Sequence, residues 1–157
     1  MAQKAVIHDT FVIERSYPAT PERVFAAFAD PDKKRRWFVE HRNQTVEHYE
    51  LAFEVGGWER ARLRLNEKTP LPGALCETEG IYQHIVPNSR MVSSATMSIN
   101  GHCISVSLVT VELLPSGSGT ELILTHQAAF FEGADGPEMR QEGWRKLLDE
   151  LANELAA

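Results

Sequence analysis

The sequence predicts an α+β fold in which a curved antiparallel β-sheet of six to seven strands wraps around a long C-terminal helix. Three observations lead to this prediction: an early strand followed by two short helices, a long middle stretch of strand-like runs, and an amphipathic C-terminal segment. Short connections between successive strands are typical of an antiparallel meander. One face of such a sheet must be covered, and only the terminal helix is long enough to cover it.

The first strand and the two short helices are predicted from residue type and from helix-start signals. Residues 10–17 are β-branched or aromatic and alternate loosely, as expected of a strand. The threonine–proline pair at 20–21 places a capping residue before a proline at the first helical position. The aspartate–proline pair at 30–31 repeats this signal and predicts a second helix that ends near Trp37 and Phe38.

From residue 45 to residue 125 the chain shows strand-like runs separated by turn residues, and no convincing helix. The glycine pair at 56–57 and the segment "PSGSG" are turn chemistry. The pair Asn100–Gly101 is a strong hairpin signal between two runs. The predicted strands are "HYELAFEV", "WERARLRL", "ALCETEGIYQHIV", "RMVSSATMSI", "CISVSLVTVELL" and "TELILTHQAAF".

The C-terminal segment predicts a helix of about 20 residues, or roughly 30 Å. Pro137 suits the first helical position and Glu138 the first turn. Arg140 is assigned to the polar face, and Asp135 is expected to cap the helix. The predicted apolar face consists of Met139, Gly143, Trp144, Leu147, Leu148, Leu151 and Leu155.

A glycine within this apolar face requires an explanation, because glycine costs about 1 kcal/mol relative to alanine inside a helix. Gly143 either leaves open volume beside Trp144 or lets the helix backbone approach a strand, and the pattern alone favours neither. Side chains as small as Ser105, Ser107 and Gly80 cannot fill the concavity of a curved sheet. Small residues facing a helix are what a ligand cavity between the sheet and the helix requires, but close packing of the helix without a cavity accounts for Gly143 equally well.

Length, net charge and hydropathy favour a single-domain protein and argue against binding to nucleic acid or membranes. The 157 residues suit a single domain spanning 1–157, and the net charge of −6 with scattered lysine and arginine argues against nucleic acid and anionic membrane surfaces. The short basic run "KKRRW" at 33–37 is interpreted as a solvated helix face. No apolar run approaches the ~20 residues that cross a bilayer, and the N-terminal residues show no leader pattern.

Motifs for metal, cofactor or covalent chemistry are not found. The two cysteines form no C-x-x-C pair, which indicates free thiols and a cytoplasmic protein. The six histidines lack metal-ligand spacing. No hydrolase, phosphate-binding or dinucleotide motif is present, so we expect no metal and no cofactor. A binding protein is favoured over an enzyme.

Four segments together carry a family resemblance: "YPATPERVFAAFADPDKKRRWF", "GIYQHIVPNSRMV", "SLVTVELLPSGSGTELILTHQ" and "GWRKLLDELANEL". Their order and spacing are similar to the SRPBCC superfamily, the START- and birch-pollen-allergen-like group. The chain resembles most its branch named for the activator of heat-shock-protein-90 ATPase, from about Phe11 to Leu155. The resemblance implies a helix-grip fold with an apolar cavity. Members bind lipids, hormones or polyketides, and some are cyclases, hydroxylase subunits or co-chaperones, so the fold does not determine the function.

His126 is the polar candidate in the predicted last strand, because Leu122, Leu124 and His126 share one face by period 2. It either hydrogen-bonds a ligand, or acts as a general base, or is an ordinary buried histidine satisfied by a neighbour. No catalytic residue is assigned. The candidate ligand-binding residues are Trp37, Trp58, Tyr82, Ser105, Ser107, His126, Phe130, Gly143 and Trp144.

Three functions remain open from the sequence. The first is a protein that binds a small apolar or lipid-like ligand in the cavity. The second is a cyclase- or hydrolase-type enzyme in which His126 is the acid or base and Tyr82 or a serine donates a hydrogen bond. The third is a co-chaperone-like interaction domain, which no motif supports. Exposed aromatic residues and edge strands are compatible with a homodimer but do not require one.

Overall fold

The computed structural model describes residues 5–40 and 44–157. The predicted α+β class and the two short helices after the first strand are confirmed, and the sheet has seven strands. Residues 1–4 and 41–43 lie outside the described part. The prediction of a single domain over 1–157 includes both segments, and the prediction that the N-terminus has no leader falls on the first. In chain order the elements are β1 (Ile7–Tyr17), α1 (Pro21–Ala29), α2 (Pro31–Phe38), β2 (Gln44–Leu51), β3 (Trp58–Leu65), β4 (Leu75–Val86), β5 (Arg90–Ile99), β6 (His102–Ser116), β7 (Gly119–Phe130) and α3 (Pro137–Ala156).

The sheet is antiparallel throughout, with the strand order β1-β7-β6-β5-β4-β3-β2. The strands β2 to β7 form the predicted meander, and β1 pairs with β7 at the far edge. The hairpin predicted at Asn100–Gly101 joins β5 to β6, and both residues have positive φ, 50° and 82°. Two consecutive positive φ angles are what a type I′ turn requires, which is why this pair specifies the hairpin.

The two short helices begin where the sequence signals place them. The Oγ1 atom of Thr20 accepts a hydrogen bond from the backbone N–H of Arg23 at 3.3 Å. Asp30 Oδ1 accepts from the N–H of Asp32 at 2.9 Å. Each cap satisfies a donor that would otherwise lack an intrahelical partner, and each is followed by a proline at the first helical position.

The start of α3 differs from the prediction in two ways. Its N-cap is Gly136, and Asp135 does not cap the helix but forms an ion pair with Arg140. The sequence pattern assigns Arg140 to the polar face, yet it is only 7% exposed, whereas Met139 is 56% exposed. The pattern is misleading here because Asp135 neutralises the buried guanidinium, which removes most of the penalty that normally keeps arginine outside.

The core lies towards the β1, β6 and β7 side of the sheet. Leu148 and Leu151 of α3 are fully buried and belong to the same hydrophobic cluster as Leu122 and Leu124 of β7. Each such leucine stabilises the fold by roughly 1.5–3 kcal/mol. The backbone of α3 approaches β1, α1 and α2, so the helix anchors one side of the concave face and leaves a gap over β3, β4 and β5. None of the described helices is long and apolar enough to span a membrane.

Candidate functional site

A cavity of about 400 Å³ lies in this gap between the concave face of the sheet and α3. Its size is within the range of small-molecule pockets. Small residues form its floor, because Gly80, Ala95 and Ser107 stand opposite one another on β4, β5 and β6. A side chain of ordinary size at any of these three positions would project into the space.

Gly143 lies on the exposed rim of the cavity, on the helix side. Apart from its two chain neighbours and the adjoining backbone of its own helix, a Cβ atom built at this position would meet no atom of the described residues within 4 Å. This decides between the two explanations for the glycine: it leaves open volume and does not permit close packing against a strand. Beside it, the half-buried Trp144 packs on Phe38, with ring centroids 5.9 Å apart.

The nine candidate residues divide into two groups by position. Those that line the cavity are Tyr82, Ser107, His126, Gly143 and Trp144. Those that lie outside its lining are Trp37, Trp58, Ser105 and Phe130.

The two tryptophans outside the lining have other surroundings. Trp37 is 1% exposed, and its Nε1–H donates to the carbonyl of Ala27 at 2.8 Å, which ties α2 to α1. Trp58 is 37% exposed and carries the guanidinium of Arg60 at 4.2 Å from its ring centroid. It is on the convex face, because its neighbour Glu59 faces the cavity and successive side chains of a strand alternate.

Ser105 and Phe130 touch the cavity only indirectly, through Arg140. The Ser105 hydroxyl accepts a hydrogen bond from Nη2 of Arg140 at 3.0 Å. The ring of Phe130 lies 5.1 Å from the guanidinium carbon. Both side chains are 1% exposed, so they support a residue that lines the cavity.

The first polar group of the lining is built around Glu59. Its carboxylate accepts hydrogen bonds from the hydroxyl of Tyr82 at 2.9 Å and from that of Tyr49 at 2.6 Å. The ammonium of Lys34 lies 3.1 Å from the same carboxylate and 4.4 Å from the ring centroid of Phe38. Burial, reinforced by the Glu59 carboxylate, raises the pKa of Tyr82 well above its usual value, so Tyr82 stays a hydrogen-bond donor.

Lys34 corrects the interpretation of the basic run at 33–37 as a solvated face. It is 4% exposed and lines the cavity. The sequence did contain a signal that Lys34 faces inward. Trp37 and Phe38 follow Lys34 by three and four residues, so all three side chains share one face of the helix. Glu59 was also missed, because nothing in its local sequence distinguishes it from a surface carboxylate.

The second polar group joins Arg140 to Asp135 by two hydrogen bonds. Nε donates to Oδ2 at 2.7 Å, and Nη2 donates to Oδ1 at 2.8 Å. Nη2 also donates to Ser105, and Nη1 donates to none of the described residues. This leaves a rigidly held guanidinium with unclaimed N–H donors beside the cavity.

His126 is 1% exposed, and its ring stacks on Phe11 with centroids 4.6 Å apart. The alternating burial of β7 confirms that it faces the same side as Leu122 and Leu124. Its Nδ1 atom is buried and has no hydrogen-bond partner among the described residues. Burial first, and then the charge of Arg140, lower the pKa of His126 to about 4. The imidazole is therefore neutral at neutral pH.

Tyr82 and Ser107, which both carry a hydroxyl in the cavity lining, lie at different distances from His126. Tyr82, Ser93, Val109 and His126 form one row across four strands, so about 14 Å of sheet separates Tyr82 from His126. Ser107 is a diagonal neighbour of His126, at about 7 Å. Only the serine is near the imidazole. No group of three or more histidine, cysteine or acidic residues in the described part could hold a metal ion.

Residues 18–156 match the family described as activator of Hsp90 ATPase homolog 1-like protein. The chain belongs to this family. The match begins just after β1 and covers α1, α2, strands β2 to β7 and the whole of α3, and it confirms the resemblance seen in the sequence. No curated protein sequence matches the chain.

Solved structures share this fold. The Mll3558 protein from Rhizobium loti is 44% identical, with a TM-score of 0.85 over 96% of this chain and 99% of that one. An uncharacterised protein from Rhizobium leguminosarum is 34% identical, with a TM-score of 0.88 over 96% of each chain. An AHSA1-like protein from Aeromonas hydrophila is 18% identical, covers 94% of this chain and 92% of its own, and shares the fold with a TM-score of 0.68.

Proposed function

We propose that this member of the family binds a small, largely apolar molecule in the cavity between the sheet and α3. The observation that carries the proposal is the open space beside Gly143, since a helix that served only to cover the sheet would gain stability from a larger residue there. The space continues into a cavity of about 400 Å³.

The lining suits a ligand with an apolar body. Met91, Val109, Val111 and Leu147 contribute hydrocarbon surface to the cavity, and each Å² of apolar surface removed from water stabilises a complex by roughly 25 cal/mol. The polar groups around Glu59 and Arg140 are few and rigidly held. Pockets of this kind use a small number of placed polar groups to orient a ligand.

Family membership supports small-molecule binding in general terms and names no ligand. The chaperone-related role in the family's description stays a prediction for this chain, as does the enzymatic use of His126. The cytoplasmic location predicted from the free thiols also stays a prediction.

Native mass spectrometry of freshly purified protein tests the proposal directly. We expect a retained small molecule, and we expect the emptied protein to bind Nile red with enhanced fluorescence and to melt at a higher temperature with it. A protein that retains nothing, does not bind the dye and shows no shift with a panel of apolar compounds would contradict the proposal.

A pair of variants on β5 identifies the site. Ala95→Phe places a ring on the cavity floor, whereas Ser94→Phe places the same ring on the other face of the strand. We expect Ala95→Phe to abolish Nile red binding and Ser94→Phe to leave it unchanged. Equal binding by both variants would place the dye somewhere else.

A further inference from the structure

We infer that the ligand is an uncharged molecule with an apolar body and one hydrogen-bond acceptor, such as a ketone or an ester, which the Nη1 atom of Arg140 recognises. This rests on the proposed function and adds the class of ligand. Two observations carry it: the charges inside the cavity already compensate one another, and one rigid donor remains unclaimed.

The charge of Lys34 is matched inside the protein. Its Nζ lies 3.1 Å from Oε2 of Glu59, and the two side chains are 5% and 13% exposed. The carboxylate is further satisfied by the hydroxyls of Tyr49 and Tyr82. Neither member of the pair needs a charged ligand group.

The charge of Arg140 is matched in the same way. Asp135 accepts two hydrogen bonds from its guanidinium, and the two side chains are 8% and 21% exposed. Arg140 lines the cavity together with Ser107 and the neutral His126, and its hydrogen bonds to described residues use Nε and Nη2 but not Nη1. A neutral acceptor would complete the hydrogen bonding of the site.

A charged ligand group would have the opposite effect. The described charged residues of the interior sum to zero, so a carboxylate placed there would lose its hydration without gaining a counter-charge, which is far more costly than burying a hydrogen-bonded neutral group. Lys146, on the exposed rim, forms no ion pair with another described residue. A ligand that kept an anionic group at the rim is the competing arrangement.

Three naphthalenes of similar size separate these arrangements. 2-Acetylnaphthalene carries a neutral acceptor, 2-naphthoate carries a charge, and 2-ethylnaphthalene carries neither. At pH 7 we expect the ketone to bind about tenfold more tightly than the hydrocarbon, since a hydrogen bond from a charged donor is worth at least that factor, and the carboxylate to bind no better than the hydrocarbon. Calorimetry or competition with Nile red measures the three dissociation constants.

A paired substitution identifies the donor without leaving a buried charge alone. Arg140→Met/Asp135→Asn should remove the roughly tenfold preference for the ketone over 2-ethylnaphthalene. Arg145→Met, which alters an exposed arginine on the same helix, is the matched control and should change neither affinity.

The results that would contradict the inference differ from those that would contradict the proposed function. Equal binding of the three compounds, or a ketone preference that survives the paired substitution, would overturn the inference while leaving the cavity proposal standing. A preference for naphthoate that Lys146→Met removes would overturn it in favour of a charge held at the rim. Nile red binding without binding of any naphthalene overturns the inference alone, and loss of both overturns the proposed function too.

Discussion

The Nζ atom of Lys34 on α2 lies 3.1 Å from Oε2 of Glu59 on β3, and both side chains are largely enclosed. Three aromatic rings surround the ammonium, with the centroid of Phe38 at 4.4 Å, that of Phe28 at 5.3 Å and that of Trp37 at 5.5 Å. The pair therefore fastens α2 to the sheet beside the cavity, through two charges that are separated from bulk water.

Removing one member of this pair should destabilise the protein. We expect Lys34→Met to lower the free energy of unfolding by about 3 kcal/mol, because it leaves the Glu59 carboxylate buried without a counter-charge. Lys34→Met/Glu59→Gln should recover part of the loss. Urea denaturation measures both changes. The neighbouring exposed Lys33→Met is the control, at about 0.5 kcal/mol or less, and a Lys34→Met variant as stable as this control would show that the pair contributes nothing.

Filling the space beside Gly143 should affect binding without affecting folding. A leucine side chain introduced at this position would meet open space at its Cβ, and leucine favours the helix over glycine by roughly 0.8 kcal/mol. We therefore expect Gly143→Leu to be at least as stable as the wild type and to bind Nile red at least about tenfold more weakly. Ala152→Leu, at an exposed position of α3, is the control for binding. A Gly143→Leu variant that binds normally would place the ligand away from this rim.

Stability should depend on pH through His126. Its pKa is lowered to about 4 in the folded protein, against about 6.5 in an unfolded chain, so the unfolded state binds more protons between these values. The free energy of unfolding therefore rises with pH across this window. From pH 7.5 down to pH 5 we expect His126 to cause a loss of about 2 kcal/mol, measured by urea denaturation at each pH.

The control for this pH dependence is His126→Gln, in which the titrating group is absent. Because all other groups remain, the difference between the two stability profiles isolates the titration of His126. Arg140 and Asp135, which both act on the charge of His126, are present in both proteins. Parallel stability profiles for the variant and the wild type would contradict the prediction.

The thiol of Cys76 should report on the cavity that it lines. Burial raises the pKa of Cys76 to about 11, and the thiolate is the reactive form. In a Cys103→Ser variant we expect alkylation by iodoacetamide to accelerate about tenfold per pH unit from pH 7.5 to 9.5 and to slow when Nile red is bound. Mass spectrometry follows the reaction. A rate that levels off near pH 9, as for an exposed thiol, would contradict the prediction.

Much of the fold could be predicted because its signals are local. Helix starts depend on a capping residue and a proline, as at 20–21 and 30–31, and the Asn100–Gly101 hairpin depends on two residues that tolerate positive φ. Strand β2, like the start of α3, is an exception. It runs from Gln44 to Leu51, earlier than the predicted "HYELAFEV", because residues 52–57 turn towards β3, with the N–H of Gly57 bonded to the carbonyl of Glu54 at 2.8 Å.

For the candidate site, the sequence by itself determined the apolar face of the terminal helix except at Met139, the glycine within it and the small residues of the opposing strands, since these follow from period and side-chain size. Only the tertiary structure decided that Lys34 and Arg140 are buried and that Trp37 and Trp58 do not reach the cavity. The physical reason is that a charge is tolerated inside only when its partner is brought beside it. Glu59 lies 25 residues from Lys34, so no local pattern contains that ion pair. Asp135 lies only five residues from Arg140, but the burial of this pair depends on the tertiary structure, which also brings Ser105, 35 residues away, to the guanidinium.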